Sequence, residues 1–381
     1  EAVKYIGADD TTLDLFESQY QIPNGVSYNS YVILDEKVAV MDTIDERKTD
    51  EWFANLENVL NGRTVDYLVI SHLEPDHAAN IKRAADKFPQ AQLVLSAKAK
   101  AMLPQFFDIA HLEERCLVVK EGDTLELGIH KLHFVMAPMV HWPEVMVEYE
   151  ETEKILFSAD GFGKFGALSA EEEWTDEARR YFINIVGKYG VQVQTLLKKA
   201  AALDIQTICP LHGPVLKENL GFYIGKYLTW SSYEPEEDGV LVACASIHGN
   251  TKAAAEKMVE VLRANGASKV VFMDLTRDDM AEAVADAFRY GKIILAAASY
   301  DAGVFPPMED FLHRLVHKNL QKRTFGLIEN GSWAPCAAKG MKGILEGMKE
   351  VNVCENVVSI KSTMKDTDVA KMEELAKEML A

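Results

Sequence analysis

The chain has 381 residues, of which 48% are hydrophobic and 26% are charged, as in an ordinary globular protein. A chain of this length exceeds what one hydrophobic core usually supports, so we expect two domains. The formal charge of −19 disfavours nucleic acid and membranes as partners, and no apolar run approaches the roughly 18 residues that cross a bilayer.

Residues 1–231 alternate between strand-like and helix-like segments. The segments 27–34 and 37–42 are rich in β-branched residues and predict a hairpin. Apolar residues recur at helical spacing over 46–60, and two helices are predicted over 169–199. The polar run 72–80 contains Pro75 and is predicted to be a turn. The remaining predicted strands of this half are 65–71, 92–96, 115–119, 131–136, 145–149, 154–158 and 206–209.

The stretch 232–238 is acidic, contains a proline and lacks periodicity, so it is predicted to be a linker between domains 1–231 and 239–381. After it, five strand-like segments are each followed by a helix-like segment. Five such units predict a doubly wound parallel sheet, because parallel strands need crossover connections. These strands are expected near 239–245, 269–274, 291–298, 323–328 and 356–360.

Seven potential metal ligands occupy the ends of predicted strands in the first half. The first four fall within six residues, and each of the other three stands near Gly or Pro, where loops from one sheet edge can meet. Imidazoles and carboxylates in this number can hold one or two divalent metals. The alternative is a polar loop in which Asp76 only caps the next helix. The seven residues are His72, Glu74, Asp76, His77, His141, Asp160 and His212.

The second half begins with an apolar strand that leads into Ser246-Ile-His-Gly-Asn-Thr251 and then into a helix. Hydroxyls, an amide, a glycine and the free N–H groups of a helix N-terminus can surround a phosphate. The second half contains neither Gly-x-Gly-x-x-Gly nor Gly-Lys-Ser/Thr, which disfavours dinucleotides and nucleoside triphosphates as its ligands. A polar loop with a helix cap is the alternative interpretation.

The first cluster resembles the His-x-His-x-Asp-His motif of the metallo-β-lactamase-like fold, which distant His, Asp and His residues complete. The chain departs from that motif at Glu74, where the pattern has a second histidine. A carboxylate in place of an imidazole makes the site harder and favours iron over zinc. This variant, joined to a flavodoxin-like half, is similar to the pattern of the flavodiiron proteins. The implied fold is α/β, with a metallo-β-lactamase-like αββα sandwich followed by a flavodoxin-like doubly wound parallel sheet.

The resemblance implies a ligand set for two iron ions. One iron would be held by His72, Glu74 and His141. The other would be held by the remaining ligands Asp76, His77 and His212, with Asp160 bridging the two. In some members a histidine stands in the early loop where this chain has Phe16-Glu-Ser18, so the roles of Glu17 and Ser18 stay open. Tyr28 is a further candidate for the iron pocket, and strand packing explains it equally well.

The 246–251 loop is similar to the phosphate loop with which flavodoxins bind FMN. Loops after the third and fourth strands would then hold the flavin ring. Tyr300 and Trp333 are the aromatic candidates for flanking it, and Gly303 and Gly331 allow close backbone approach. The predicted FMN-binding residues are Ser246, Ile247, His248, Gly249, Asn250, Thr251, Ser299, Tyr300, Asp301, Ala302, Gly303, Asn330, Gly331, Ser332 and Trp333.

The resemblance implies reduction of dioxygen to water, of nitric oxide to nitrous oxide, or of both, at a diiron site fed by FMN. It also implies a head-to-tail homodimer or a dimer of such dimers, because the two sites of one chain are far apart in this family. With no Cys-rich appendage, the chain resembles the minimal two-domain form, whose electrons come from a rubredoxin-type donor or a reduced deazaflavin. Two alternatives stay open: a zinc hydrolase with an appended flavin domain, against which Glu74 argues, and an FMN electron carrier.

The cysteines indicate a cellular compartment. They are scattered, odd in number and without a Cys-x-x-Cys pair, which argues against a disulfide framework or a zinc ribbon. The first residues also lack a basic segment followed by an apolar one, so we expect no secretory signal. The prediction is a cytoplasmic protein whose thiols stay reduced. The five residues are Cys116, Cys209, Cys244, Cys336 and Cys354.

Overall fold

The computed structural model describes residues 1–381, which form a succession of short strands and helices. None of the helices combines the length and the apolar character needed to cross a membrane. The strands are β1 (Val3–Tyr5), β2 (Ala8–Asp10), β3 (Leu15–Phe16), β4 (Tyr20–Gln21), β5 (Val26–Tyr28), β6 (Tyr31–Leu34), β7 (Val38–Met41), β8 (Tyr67–Val69), β9 (Gln92–Ser96), β10 (Cys116–Val119), β11 (Thr124–Glu126), β12 (Lys131–Met136), β13 (Met146–Glu150), β14 (Ile155–Phe157), β15 (Thr207–Cys209), β16 (Glu237–Ala245), β17 (Val270–Asp274), β18 (Tyr290–Tyr300), β19 (Gly303–Val304), β20 (Arg323–Asn330), β21 (Val351–Val353) and β22 (Val358–Ile360). The helices are α1 (Thr49–Leu60), α2 (Pro75–Ala78), α3 (Ile81–Lys87), α4 (Ala97–Met102), α5 (Leu112–Arg115), α6 (Trp174–Tyr181), α7 (Gly190–Ala200), α8 (Leu220–Ser231), α9 (Asn250–Ala264), α10 (Met280–Arg289), α11 (Pro306–His317), α12 (Ala337–Leu345) and α13 (Asp366–Leu380).

The chain divides into two compact units. The first comprises Glu1–Phe182 and Val191–Leu228, and the second comprises Ile183–Gly190 and Thr229–Ala381. The sequence did not indicate that the short segment before α7 groups with the second unit. Helix α8 ends at Ser231 and β16 begins at Glu237, so the last two residues of the predicted linker lie in a strand. Domains at 1–231 and 239–381 remain our proposal for the functional division of the chain.

The first unit is built on two β-sheets that share one hydrophobic core. Their strand orders are β1-β6-β7-β8-β9-β10 and β11-β12-β13-β14-β15. Because side chains alternate across a strand, every second residue of the central strands enters this core. The core draws on both sheets and contains Tyr31, Ile33, Ala39, Met41, Val69, Val94, Val119, Leu125, Leu127, Leu132, Phe134, Met146, Ile155, Phe157 and Cys209.

Helices cover the outer faces of both sheets. Outward-facing Val40, Leu68 and Leu93 of the first sheet meet residues of α1 and α3 around a small void. Outward-facing residues of β12, β13 and β14 meet α7 in the same way on the other sheet. The layer order helix, sheet, sheet, helix confirms the αββα sandwich.

Two segments of the first 231 residues differ from their predicted form. The run 72–80, predicted as a turn, contains the one-turn helix α2, and Pro75 stands at its first position, where the missing N–H costs nothing. The stretch 169–199 was predicted to hold two helices. It holds α6 and α7 separated by a π-helical segment, Phe182–Val186, and a 3₁₀ turn, Gly187–Tyr189. Periodicity does not distinguish these wider and tighter windings from an α-helix.

The second unit has one sheet whose central order is β17-β16-β18-β20-β21. The strands along this path are parallel, while the short β19 pairs antiparallel with β18. Strand order 2-1-3-4-5 is that of the flavodoxin-like doubly wound fold, as predicted. Helices α9 and α13 pack against one face of β16, β18 and β20 and form a hydrophobic core with them. Helices α10, α11 and α12 also contact β18. Two short strands pair with the outer side of β20: β22 lies within the predicted strand 356–360, and β21 was not predicted.

Candidate functional site

The seven predicted metal ligands follow four strands of the sandwich. His72 lies after β8 and is followed by Glu74 and by α2, which carries Asp76 and His77. The other three ligands follow β12, β14 and β15, which run in one direction within the second sheet. Their carboxyl ends therefore meet at one edge, and the Met146 N–H donates to the Ser71 carbonyl there and ties that edge to the first sheet.

Four of the seven side chains form the first ligand group. The Nε2 atom of His72 lies 3.3 Å from Glu74 Oε2 and 3.2 Å from Asp160 Oδ2. The Nε2 atom of His141 lies 3.0 Å from the same Glu74 oxygen and 3.3 Å from the same Asp160 oxygen. Two nitrogens and two oxygens thus converge on one point.

The second ligand group lies on the other side of Asp160. Its Oδ1 atom lies 3.0 Å from His77 Nε2 and 3.7 Å from His212 Nε2. Asp76 Oδ2 lies 3.2 Å from the same His77 nitrogen and 3.1 Å from the same His212 nitrogen. Each Asp160 oxygen therefore faces a different group, which is the placement of a bridging carboxylate.

The spacing of these atoms fits a metal better than it fits hydrogen bonds alone. Ligands about 2.1 Å from one ion, at roughly 90–110° to each other, lie about 3.0–3.4 Å apart. Both oxygens of Asp76, Asp160 Oδ2 and His212 Nε2 are buried and have no hydrogen-bond partner. Buried polar atoms are costly without partners, so the site is built for additional charged atoms between them.

Two histidines are oriented by acceptors behind them. His72 Nδ1 lies 2.7 Å from Glu144 Oε1, and His212 Nδ1 lies 2.7 Å from the Ser27 carbonyl oxygen. Donation from Nδ1 leaves the Nε2 lone pair directed at the ligand group. Glu144 was not predicted from the sequence, although a carboxylate three residues after the ligand His141 is a candidate for a group that supports the ligands. It is fully buried, and its Oε1 also accepts the Leu73 N–H at 2.7 Å.

We expect Glu144→Gln to weaken metal binding by about 10- to 100-fold, because a neutral amide is a poorer acceptor for the His72 N–H. The measurement is titration of the metal-free protein with Fe²⁺ in competition with a chelator. Glu126→Gln, on the exposed edge of β11, is the matched control and should leave affinity unchanged. Equal affinity in both variants would mean that Glu144 only fills space.

The site holds opposite charges close together in a buried volume. Burial alone lowers the pKa of His77, but the carboxylates of Asp76 and Asp160 outweigh it and raise this pKa to about 9. His141 follows the same pattern, since the nearby carboxylates of Asp160 and Glu74 outweigh burial and raise its pKa to about 9. Metal binding must therefore displace protons from these rings.

The metal-free protein should lose stability between about pH 6.5 and about pH 9. A raised histidine pKa stabilises the folded state fully below the unfolded value near 6.5, and this contribution disappears as the pH rises through the folded value. Calorimetry of metal-free protein across this range should show a falling melting temperature. Metal-loaded protein is the control, because its histidines carry no proton to lose. Parallel curves for the two forms would contradict the expectation.

Two further groups lie at the site: Tyr181, which the sequence did not indicate, and Glu17, whose role the sequence left open. Tyr181, at the end of α6, places its ring 5.5 Å from that of His212, and burial, reinforced by Asp160 and Asp76, raises its pKa well above the usual value. Glu17 lies on a turn beside Glu74, and partial burial of its carboxyl group together with the Glu74 charge raises its pKa to about 8. Both groups hold their protons at neutral pH in the metal-free protein.

Tyr28 lies at the periphery of the site. Its ring centroid is 6.3 Å from that of His212, while its hydroxyl lies 3.5 Å from Asp10 Oδ2. The side chain is fully buried within β5, so strand packing accounts for its position.

The second unit contains a cavity of about 690 Å³ at the carboxyl ends of β16, β18 and β20. This volume suits a cofactor of drug size or somewhat larger. Thirteen of the fifteen predicted flavin residues line it, and Gly249 and Gly303 do not. Gly249 precedes α9 with φ of 102° and donates its N–H to the Ser246 hydroxyl, so it shapes the loop from behind. The lining residues that the sequence did not indicate are Ala298, Ala334, Cys336 and Ser362.

Known proteins resemble the chain over most of its length. Residues 26–213 match the family model described as ODP family beta lactamase. The anaerobic nitric oxide reductase flavorubredoxin of Aliivibrio fischeri is 27% identical over 343 residues, covering 87% of this chain and 68% of that protein. The structure of rubredoxin oxygen:oxidoreductase from Desulfovibrio gigas has a TM-score of 0.91 and 25% identity, over 99% of this chain and 96% of its own. The flavodiiron protein from Giardia intestinalis has the same fold, with a TM-score of 0.90 and 24% identity over 100% and 95% of the two chains.

Proposed function

We propose that this chain, a member of the flavodiiron protein family, is an oxidoreductase that reduces dioxygen to water, nitric oxide to nitrous oxide, or both. The observation that carries the proposal is the pair of ligand groups joined by Asp160, which suits two metal ions rather than one. Similarity to a nitric oxide reductase flavorubredoxin and to a rubredoxin oxygen:oxidoreductase supports both gases as candidate substrates.

The ligand set favours iron. In our assignment His72, Glu74 and His141 hold one ion, the second ligand group holds the other, and Asp160 lies between them. Glu74 adds a carboxylate where a histidine would favour zinc, so the site carries three carboxylates against four imidazoles. The orphaned oxygens of Asp76 are available for such an ion.

The cavity of about 690 Å³ in the second unit suits FMN. Ser246, Asn250 and Thr251 surround the N-terminus of α9, where N–H groups and the helix dipole favour a phosphate. Tyr300 and Trp333 line the same cavity, and Trp333 is 90% exposed, so an aromatic face is available to cover a flavin ring. When bound, FMN and the two irons supply the electron transfer to the gas.

The residues of the chain set the conditions for that chemistry. The four histidines and Asp160 are almost fully buried, so the site excludes bulk water. The Tyr181 ring lies beside His212 and Glu17 lies beside Glu74, so two acidic groups are placed next to the ligands to supply the protons that reduction of either gas consumes. Glu74 is the most exposed ligand, at 17%, so the site opens on its side.

A partner must deliver electrons to the flavin. We propose a rubredoxin-type donor, supported by the rubredoxin named in the Desulfovibrio gigas relative, and a reduced deazaflavin is the alternative. We also propose a head-to-tail homodimer, as the resemblance implies, and light scattering tests it. We place the protein in the cytoplasm, where its five free cysteines stay reduced.

The test begins with anaerobically purified protein whose iron, zinc and flavin contents are measured together. We expect about two irons and one FMN per chain, and consumption of dioxygen or nitric oxide when reduced rubredoxin is added. Comparing the rates with the two gases assigns the preferred substrate. Zinc without iron would support the hydrolase alternative. Fully loaded protein that consumes neither gas would leave only the FMN electron carrier.

A further inference from the structure

An apolar cavity lies directly behind the metal ligands, within the first unit. It is enclosed by outward-facing residues of β12, β13 and β14 and by helices α7 and α8. About 20 Å³ of it is open to the centre of a water-sized molecule, and roughly 10–15 Å³ is enough for one such molecule. The cavity therefore has room for one small molecule without any movement of its walls.

The lining of this cavity offers nothing to water. Apart from Ser158 and Tyr227, its side chains are hydrocarbon. The Ser158 hydroxyl donates to the Gly161 carbonyl at 2.6 Å, and the Tyr227 hydroxyl accepts the Phe162 N–H at 2.6 Å. Both hydroxyls are engaged within the wall. Water needs two to four polar partners, so a cavity of this kind stays dry and takes up apolar atoms or gases.

The position of the cavity connects it to the site. Val140, which lines it, directly precedes His141, and Ser158 and Gly161, which also line it, flank the Asp160 loop. Consecutive Cα atoms are about 3.8 Å apart, so one layer of backbone separates the cavity from two ligands of the first group. Glu74, the most exposed ligand, does not line this cavity.

We propose that this cavity binds a small apolar diatomic gas and holds it beside the metal centre. The inference rests on the proposed function for the identity of the gas, since dioxygen and nitric oxide are small, apolar and poorly soluble in water. Uptake into a dry cavity raises their local concentration behind His141 and Asp160 while water stays outside. The polar rim at Glu74 is then left for protons.

Xenon tests the site independently of turnover. In crystals of the native protein under xenon pressure, we expect density in this cavity. Val193, a buried residue of α7 in the lining, is the position to fill. Val193→Phe should exclude xenon and lower kcat/KM for the gas by about 3- to 10-fold, with kcat at saturating gas nearly unchanged. The metal content, the FMN content and the rate of anaerobic flavin reduction of Val193→Phe should match those of the native protein.

The matched control fills a void on the opposite side of the sandwich. Val65 lines a similar apolar void of about 10 Å³, in which no lining residue adjoins a ligand. Val65→Phe should leave kcat/KM unchanged, and Val193→Leu serves if the larger side chain prevents folding. Native crystals without xenon in the cavity would overturn this inference alone. An unchanged kcat/KM in a folded variant that excludes xenon would also overturn it, whereas native loaded protein that consumes no gas overturns the proposed function.

Discussion

Replacing Asp160 with asparagine is expected to release both metal ions and to abolish gas reduction. The two carboxylate oxygens of Asp160 lie within 3.7 Å of the Nε2 atoms of all four ligand histidines, so this one side chain serves both groups. Asparagine keeps the volume but removes the charge. A bridged metal pair supplies several kcal/mol of charge stabilisation, so activity should fall by roughly a thousandfold or more.

The measurement combines elemental analysis with gas consumption by the purified Asp160→Asn variant. Asp108→Asn is the matched control, because Asp108 is exposed and lies outside both ligand groups. It should retain iron, flavin and activity. Retention of two irons at the native rate by Asp160→Asn would show that the two groups do not act as one centre.

The second large effect is expected in the flavin cavity, where Asn250→Glu should weaken FMN binding by about 10- to 100-fold. Asn250 is the exposed first residue of α9, so glutamate there should not disturb packing and should favour the helix itself. Its carboxylate would nevertheless repel the phosphate dianion that the helix N-terminus attracts.

Asn250→Gln isolates the charge, since it has nearly the same size and shape as glutamate. It should bind FMN with close to native affinity when both variants are titrated as flavin-free protein by fluorescence quenching. Iron content should be equal in native protein and both variants. If glutamate and glutamine weaken FMN equally, the loop does not recognise a phosphate.

The sequence predicted much of the architecture because its signals are local. Five βα units predicted a doubly wound parallel sheet in the second unit, since parallel strands need crossover connections, and the resemblance implied the flavodoxin-like strand order. The π-helical and 3₁₀ segments between α6 and α7 could not be predicted from the sequence, because the spacing of apolar residues does not distinguish α, π and 3₁₀ turns. Strand β21 was missed because three residues are too few to show a periodic pattern.

The sequence by itself determined which side chains could meet at the metal centre, because residue type and position after a strand are written in the chain. The resemblance implied that Asp160 bridges the two groups, and in the structure each of its oxygens faces one of them. Only the tertiary structure decided that Glu144 stands behind His72 and that Tyr181 and Glu17 reach the ligands. These are contacts between residues distant in sequence or in separate elements, and no local pattern encodes their distance. The dry cavity behind His141 could not be predicted from the sequence either, since it exists only where three strands and two helices pack imperfectly.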